Sequence, residues 1–283
     1  MTGVAAALVA AILFSLGGVL QHRSVAAHAS DAFDAGGMLR GVRRPIWWLG
    51  LGVQAMAVAV QLFALSQAPL ATVQTVMATM VIWVLACAVM LERVRPSRPD
   101  YFGSALVGAG VVAFVLVTRS ASQGSRVDAR AWVFATAGCV ACAGIAIAVA
   151  RALPPGPAAA VLGGAAGVVN VLGAGLAGAA ILLGEQAGAA VVFGSWLPYG
   201  ALAVSLASIA VTVMAFAAGP VTAAIPPMIA ANPVVGSALG VRLLGQSWAG
   251  GPAMTVPVAL ALAVMICGIV VLARSPIVAE QMA

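Results

Sequence analysis

Charge is what this sequence has least of. Only 7% of its 283 residues are charged, and none of them is a lysine. A soluble domain carries about 25% charged residues, whereas 63% of this chain is hydrophobic. Such a chain cannot cover a water-facing surface, so most of its surface must face lipid. Its 13 basic residues are scattered arginines in short loops. Arginines in the loops of a membrane protein indicate which loops lie on the cytoplasmic side. We therefore expect no nucleic-acid partner.

Acidic groups are missing from the long apolar stretches. All seven are expected in loops, tails or span ends: Asp31, Asp34, Glu92, Asp100, Asp128, Glu185 and Glu280. Protein sites for Mg²⁺ usually include one or two carboxylates, so a bare divalent ion at the membrane midplane is disfavoured. The sequence also shows no nucleotide-binding motif, no metal-ligand spacing and no nucleophile elbow. We therefore expect no enzyme, no catalytic residue, no cofactor and no bound metal.

Long hydrophobic runs dominate what is present. A helix needs about 20 apolar residues to cross a bilayer core, and it satisfies its backbone within the segment. The runs predict an all-α polytopic membrane protein with nine transmembrane helices, near 2–21, 46–66, 70–91, 101–118, 131–150, 157–183, 196–218, 221–244 and 253–273. Aromatic side chains near the span ends, Trp132 among them, are expected at the membrane interface.

The distribution of arginine predicts the orientation. With the N-terminus outside, the inner loops hold Arg23, Arg40, Arg43, Arg44, Arg93, Arg95, Arg98, Arg151 and Arg274. The outer loops then hold only Arg119, Arg126, Arg130 and Arg242. Because loops on the cytoplasmic side carry the excess of arginine and lysine, we expect N-terminus outside and C-terminus inside, in the cytoplasmic (plasma) membrane.

Segments in the first half of the sequence resemble segments in the second half. Residues 61–72 align with 212–223 at an offset of 151, and 105–112 align with 263–270 at an offset of 158. These matches predict a first four-helix repeat over 1–120, a linking helix over 121–155, a second repeat over 156–275 and a tail over 276–283. The single linking helix would invert the second repeat in the membrane. A 4+1+4 inverted repeat is typical of alternating-access transporters.

Several short motifs carry a family resemblance. They are Ala11-Ile12-Leu13-Phe14-Ser15-Leu16-Gly17-Gly18, Ala68-Pro69-Leu70, Met90-Leu91-Glu92-Arg93 and the glycines from Gly103 to Gly110. Together they resemble the drug/metabolite transporter superfamily, and over nearly the full chain its nine-helix NIPA-like and EamA-like branch. The resemblance implies the 4+1+4 fold. Because NIPA-type members are described as magnesium transporters, it also implies magnesium as a candidate substrate.

The chain departs from the superfamily pattern at functional positions. One repeat is similar to a subunit of the small multidrug resistance transporters, whose first helix carries an essential glutamate. Ser15 stands there in this sequence. Their third helix has a tyrosine, a tryptophan and a Gly-x-Gly kink, where this chain has Gln74, Met77, and Thr79 with Val81. The resemblance therefore does not imply proton-coupled export of cationic drugs.

Neutral polar residues remain as candidates for binding a substrate within the membrane. The predicted set is Gln54, Gln61, Gln74, Ser15, Asn170, Ser205, Thr212 and Asn232. Buried amides and hydroxyls in lipid must find partners. These residues could line a polar cavity, or they could only join helices by hydrogen bonds. Pro226, Pro227 and Pro233 are expected to break or kink the eighth span, which would free backbone carbonyls.

The sequence predicts a secondary transporter that moves a small polar or amphipathic metabolite. A magnesium or other divalent-cation transporter, a flippase for a lipid-linked substrate, and a non-transporting membrane scaffold remain alternatives. The expected partners are a small-molecule or lipid-like substrate and membrane lipid, with the chain as a monomer or homodimer. A closed polar cavity would favour a solute carrier, a carbonyl-lined path would favour ions, and a side portal would favour lipids.

Overall fold

The computed structural model describes residues 2–26, 43–92, 95–118, 128–219, 221–246 and 251–274, which contain helices but no strand. The helices are α1 (Thr2–Ala26), α2 (Pro45–Gln67), α3 (Leu70–Met77), α4 (Met80–Glu92), α5 (Arg98–Thr118), α6 (Ala129–Ala150), α7 (Pro155–Ala187), α8 (Ala189–Gly194), α9 (Leu197–Ala218), α10 (Val221–Leu243) and α11 (Thr255–Ala273). A short 3₁₀ turn over Gly251–Met254 precedes α11.

Nine stretches in these described ranges are long and apolar enough to cross a membrane. They correspond to α1, α2, α3 with α4, α5, α6, α7, α9, α10 and α11. Each agrees with a predicted span, so the prediction of an all-α, multi-pass membrane protein is confirmed. Helix α8 belongs to none of these stretches and connects α7 to α9.

Helix ends follow from local chemistry. The Asp128 carboxylate begins α6 by accepting hydrogen bonds from the backbone N–H of Arg130 at 2.9 Å and of Ala131 at 3.4 Å. Pro69, which has no N–H to donate, separates α2 from α3. Gly188, at φ 88°, ends α7 in a backbone conformation that residues with a Cβ rarely adopt.

Helix α7 is the central element of the second half. Its 33 residues correspond to about 50 Å at 1.5 Å per residue, which exceeds the ~30 Å hydrocarbon core. It packs against α9, α10 and α6. Trp132 of α6 is completely buried, and its indole lies 2.9 Å from the position of a Cβ on Gly175 of α7. The prediction that Trp132 faces the membrane interface is wrong, because this glycine leaves room for the ring.

The break expected in the eighth span is absent. Helix α10 continues through Pro226, Pro227 and Pro233 as one helix, whereas the third span divides at Ala78–Thr79 without any proline. The backbone of α7 packs closely against α10, because Gly163 of α7 contacts the carbonyl oxygen of Ala224. The helix stays continuous although its prolines lack the backbone N–H donors of other residues.

Two further helix pairs join the first half of the chain to the second. Helix α5 packs against α11, and α3 packs against α10. Glycines lie at both contacts: Gly103 and Gly110 of α5, Gly268 of α11, and Gly236 and Gly240 of α10. Small residues of this kind let helix backbones approach closely in a membrane.

Candidate functional site

Ser15 lies at the break in the third span. Its hydroxyl is buried and lies 2.8 Å from the carbonyl oxygen of Ala11 and 3.0 Å from that of Met80, so it donates between them. Met80 is the first residue of α4. Ser15 therefore joins α1 to the second part of the divided span, and this contact occupies its only donor.

Gln54 packs into a notch on α1. A Cβ placed on Gly17 would lie 2.6 Å from the Gln54 Cγ and 2.8 Å from the carbonyl oxygen of Gly50. The amide nitrogen of Gln54 lies 3.9 Å from the corresponding position on Gly18. The glutamine side chain thus covers the glycine pair of the neighbouring helix.

Ser205 occupies a similar position in the second half. A Cβ on Gly173 of α7 would lie 2.7 Å from the Ser205 hydroxyl oxygen and 3.5 Å from the carbonyl oxygen of Ala201. Unlike Gln54, which is half-buried, Ser205 is exposed. The two helix pairs thus place a polar side chain against a glycine in the same way, but with different exposure.

Gln61 and Thr212 are both half-buried. Gln61 follows Gln54 by two helical turns, so both lie on the α2 face that includes the buried residues Ala57 and Ala64. The Thr212 hydroxyl donates to the carbonyl oxygen of Ser208 at 2.9 Å and lies 3.9 Å from the Met228 sulfur. Thr212 therefore bonds mainly within α9.

Among the predicted binding residues, Gln74 is the one whose buried amide nitrogen, Nε2, has no hydrogen-bond partner among the described residues. Its side chain is 1% exposed. Its Cβ and Cγ lie 2.7 and 2.9 Å from the position of a Cβ on Gly236 of α10. Gln74 is therefore held where α3 meets α10, with a donor group still to satisfy.

The two asparagines differ in exposure. Asn232 of α10 is buried, whereas Asn170, near the middle of α7, is exposed. On the helix, Asn170 lies between two contact faces, because Gly173 contacts α9 and Gly167 contacts α10. Asn170 therefore lies on the α7 surface at the boundary between α9 and α10, where protein does not cover it.

A crevice lies at the end of the bundle where α1 begins. It contains about 330 Å³ of empty space, including space open to its surroundings. Its lining comes from four helices and their ends: Leu65, Ser66, Ala68, Leu70, Gly178, Ile181, Leu182, Glu185, Leu244 and Gln246. None of the eight predicted binding residues lines it. Glu185, an exposed carboxylate, is the acidic group among these residues.

Gln246 closes one side of this crevice. Its side chain is 3% exposed, and its Oε1 accepts a hydrogen bond from the backbone N–H of Ala71 at 3.4 Å. Ala71 lies in the first turn of α3, where helical N–H groups lack partners of their own. Gly245, at φ 66°, turns the chain so that the Gln246 N–H also donates to the carbonyl oxygen of Gly240 at 3.0 Å.

Metal ligands are not grouped in the described ranges, where no three His, Cys, Asp or Glu side chains lie close enough to hold an ion together. The polar groups found at the helix contacts are amides, hydroxyls and backbone carbonyls. Such groups recognise a ligand through hydrogen bonds.

The structure divides the eight predicted residues among several contacts. Ser15 joins α1 to α4, Gln54 and Gln61 lie on the α2 face that packs towards α1, and Gln74 meets α10. Ser205, Thr212, Asn170 and Asn232 lie on the helices of the second half. Their role in binding stays a prediction. Gln246 was missed as a candidate, because an amide directly after a span end has no distinctive sequence signal.

These observations define a multi-pass α-helical membrane protein. The chain is similar to an uncharacterised protein of Corynebacterium glutamicum, with 24% identity over 270 residues that cover 95% of this chain and 93% of that protein. No family model matches the chain. No solved structure matches it either.

Proposed function

We propose that this protein is a secondary transporter that moves a small polar or amphipathic metabolite across the membrane by alternating access. The proposal combines two features: internally repeated helix contacts and a buried, unsatisfied amide where the two halves meet. Transporters built from inverted repeats place their substrate site near the membrane midplane between the repeats. In the proposed arrangement, α1–α5 and α7–α11 form the repeats and α6 links them.

The first support comes from contacts within each half. Gly50 and Gln54 of α2 correspond to Ala201 and Ser205 of α9 at the offset of 151 residues found in the sequence. Each pair packs against a glycine of a neighbouring helix, on α1 in one half and on α7 in the other. The same register recurs although the residues that fill the contact differ, which favours a duplicated unit over chance similarity.

The second support comes from the contact between α5 and α11. A Cβ on Gly103 would lie 3.2 Å from the carbonyl oxygen of Gly268, and a Cβ on Gly110 would lie 2.8 Å from that of Ala261. The offset of 158 residues for these helices converts Gly103 to Ala261 and Gly110 to Gly268. Applied to both helices, the offset turns the contact between Gly103 and Gly268 into the contact between Ala261 and Gly110. A two-fold axis in the membrane plane would relate the two contacts in this way.

The observation that carries the proposal is the Gln74 amide. A buried hydrogen-bond donor without a partner costs about 1–3 kcal/mol. A substrate oxygen that accepts from Gln74 Nε2 would remove this cost, and the side chain lies at the contact between the two proposed repeats. The one acidic side chain that is buried in a described span, Asp100, lies in the first turn of α5 and accepts hydrogen bonds from Ser97. The neutral amide of Gln74 therefore favours a neutral or zwitterionic solute over a bare cation.

Thermal stabilisation of the purified protein tests the proposal, because a ligand that binds the native state raises Tm. The panel contains Mg²⁺ and other divalent ions, amino acids, nucleosides, cationic dyes and polyprenyl phosphates. Wild type is compared with Gln74→Met, which keeps the length of the side chain and removes its donor, and with Gln67→Met at an exposed site.

We expect one solute class to stabilise wild type and Gln67→Met, with affinity for Gln74→Met lower by about tenfold, the value of one hydrogen bond. Stabilisation by divalent ions alone, equal in all three proteins, would instead support the magnesium alternative. Stabilisation by polyprenyl phosphates alone would support the flippase alternative. If no compound on the panel stabilises the protein, the transporter proposal loses its support and the scaffold alternative stands.

A further inference from the structure

One face of α7 leads from the crevice into the membrane. Asn170, Ala174, Gly178, Ile181 and Glu185 follow one another at intervals of three or four residues, so they share one side of the helix. The last three of them line the crevice. Asn170 is exposed and Ala174 is half-buried, although α7 is otherwise largely buried. The face is therefore exposed at its two ends, Asn170 and Glu185, and partly buried at Ala174, Gly178 and Ile181 between them.

Gly178 marks the middle of this face. Within the described residues, no atom outside its own stretch of backbone lies within 4 Å of the position that a Cβ on Gly178 would take. Other α7 glycines are packed: Gly163, Gly167 and Gly175 all meet atoms of neighbouring helices. Close helix packing explains those glycines, but it does not explain the space beside Gly178.

The ends of the face differ in chemistry. Glu185 lies near the end of α7, which is longer than the hydrocarbon core is thick, so its carboxylate can remain in water. Asn170 lies near the middle of the helix, where a polar amide facing lipid is costly. Water or a polar solute beside Asn170 would remove that cost, whereas a lipid chain would not.

We propose that the α7 face from Glu185 to Asn170 is a water-lined route by which solute passes between one membrane surface and the centre of the protein. The proposal rests on the proposed transport function and adds a path to it. Because N-terminus-outside is the predicted orientation, the route opens on the outer surface. Its lining of one carboxylate, one amide and small or apolar side chains suits an amphipathic solute.

Thiol labelling in lipid nanodiscs tests the route without knowledge of the solute. Nanodiscs leave both membrane faces open to a membrane-impermeant methanethiosulfonate reagent, while lipid covers the apolar surface of the spanning helices. In a background with Cys87, Cys139, Cys142 and Cys267 replaced by serine, single cysteines are introduced by Asn170→Cys on the route and Gly144→Cys on α6. Gly144 also has open space around it, but it lies on a helix that packs mainly against α7.

We expect the Asn170→Cys protein to react at least about tenfold faster than the Gly144→Cys protein, because only an ionised thiol reacts and hydrocarbon suppresses ionisation. Adding Gly178→Leu should lower the Asn170→Cys rate to that of the control, since leucine fills the route without a clash. Matching Tm values and single symmetric peaks in gel filtration establish that each variant is folded.

Equal rates for the two cysteines, or no effect of Gly178→Leu, would overturn the route. These failures are separate from failure of the proposed function. If a panel solute binds in a Gln74-dependent way while Asn170→Cys stays unreactive, the transporter proposal stands and the route is wrong. If labelling and blocking occur as expected while no panel solute binds, the route stands and the transport proposal fails.

Discussion

The central helices of the two halves, α1 and α7, meet their neighbours in different ways. On α7, Gly163 and Gly167 bring the backbone against the carbonyl oxygens of Ala224 and Met228 of α10. If Gly17 of α1 is matched with Gly173 of α7, the corresponding residues of α1 are Ala7 and Ala11, both fully buried. The first half thus has methyl groups where the second half has direct contact between backbones.

This difference coincides with the state of the helix that is packed against. Helix α10 stays whole despite three internal prolines, whereas α3 and α4 are separated at Ala78–Thr79 without one. In the first half the Ser15 hydroxyl, rather than glycine packing, links α1 to the broken segment through Met80. Burial alone does not explain this difference, because the divided span is the more deeply buried of the two.

The largest change in stability is expected when a methyl group is added at the glycine contact between α7 and α10. Gly163→Ala should destabilise the protein by about 1–3 kcal/mol, because its Cβ would overlap the Ala224 carbonyl group. Gly144→Ala, at an open position, should stabilise by up to about 1 kcal/mol through helix propensity. Titration with sodium dodecyl sulfate measures both, and equal stability of the two variants would contradict the proposed contrast between packed and open glycines.

An intermediate effect is expected from the residues that fill the corresponding contacts of α2 and α9. Gln54→Ala removes side-chain atoms packed against Gly17 and should cost about 1–2 kcal/mol. Ser205→Ala changes an exposed residue and should remain within about 0.5 kcal/mol of wild type. The same detergent titration compares them. A larger loss for Ser205→Ala would show that the second half depends more on its polar contact.

A smaller loss of stability than that of Gln54→Ala is expected at the break in the third span. Ser15→Ala removes a hydrogen bond between helices and should cost about 0.6 kcal/mol, the typical value inside membranes. Thr75→Val serves as the control, because the Thr75 hydroxyl donates only to Ala71 of its own helix. Hydrogen exchange near residue 80 should accelerate in Ser15→Ala and remain unchanged in Thr75→Val. Unchanged exchange in both would mean that Ser15 does not hold the two segments together.

The membrane spans could be predicted because each needs only length and apolar composition. The predicted span 157–183 falls within α7, and the predicted span 131–150 falls within α6. The position of Trp132 could not be predicted, because its burial depends on Gly175, which is 43 residues further along the sequence. The continuity of α10 could not be predicted either, since its three internal prolines favour a break or kink and the sequence alone does not indicate that the helix tolerates them.

The candidate site shows the same limit. Sequence identified Gln74 as a polar residue in a span, and the structure adds that its amide nitrogen is buried with no partner among the described residues. Gln54 and Gln61 are predicted cavity residues that the structure places on the α2 face packed towards α1, and their role in binding stays a prediction. A single sequence indicates which side chains are polar, whereas only the contacts between helices indicate which of them have already been satisfied.

The bond between Gln246 and Ala71 has a consequence for biosynthesis. Its two residues are 175 positions apart, so most of the chain must be translated before the first turn of α3 acquires this acceptor. While only the first half of the chain has been synthesised, the Ala71 N–H of α3 has no Gln246 side chain to accept its hydrogen bond. The third span therefore cannot reach its final state during its own insertion, and assembly of this region ends only with the last third of the polypeptide.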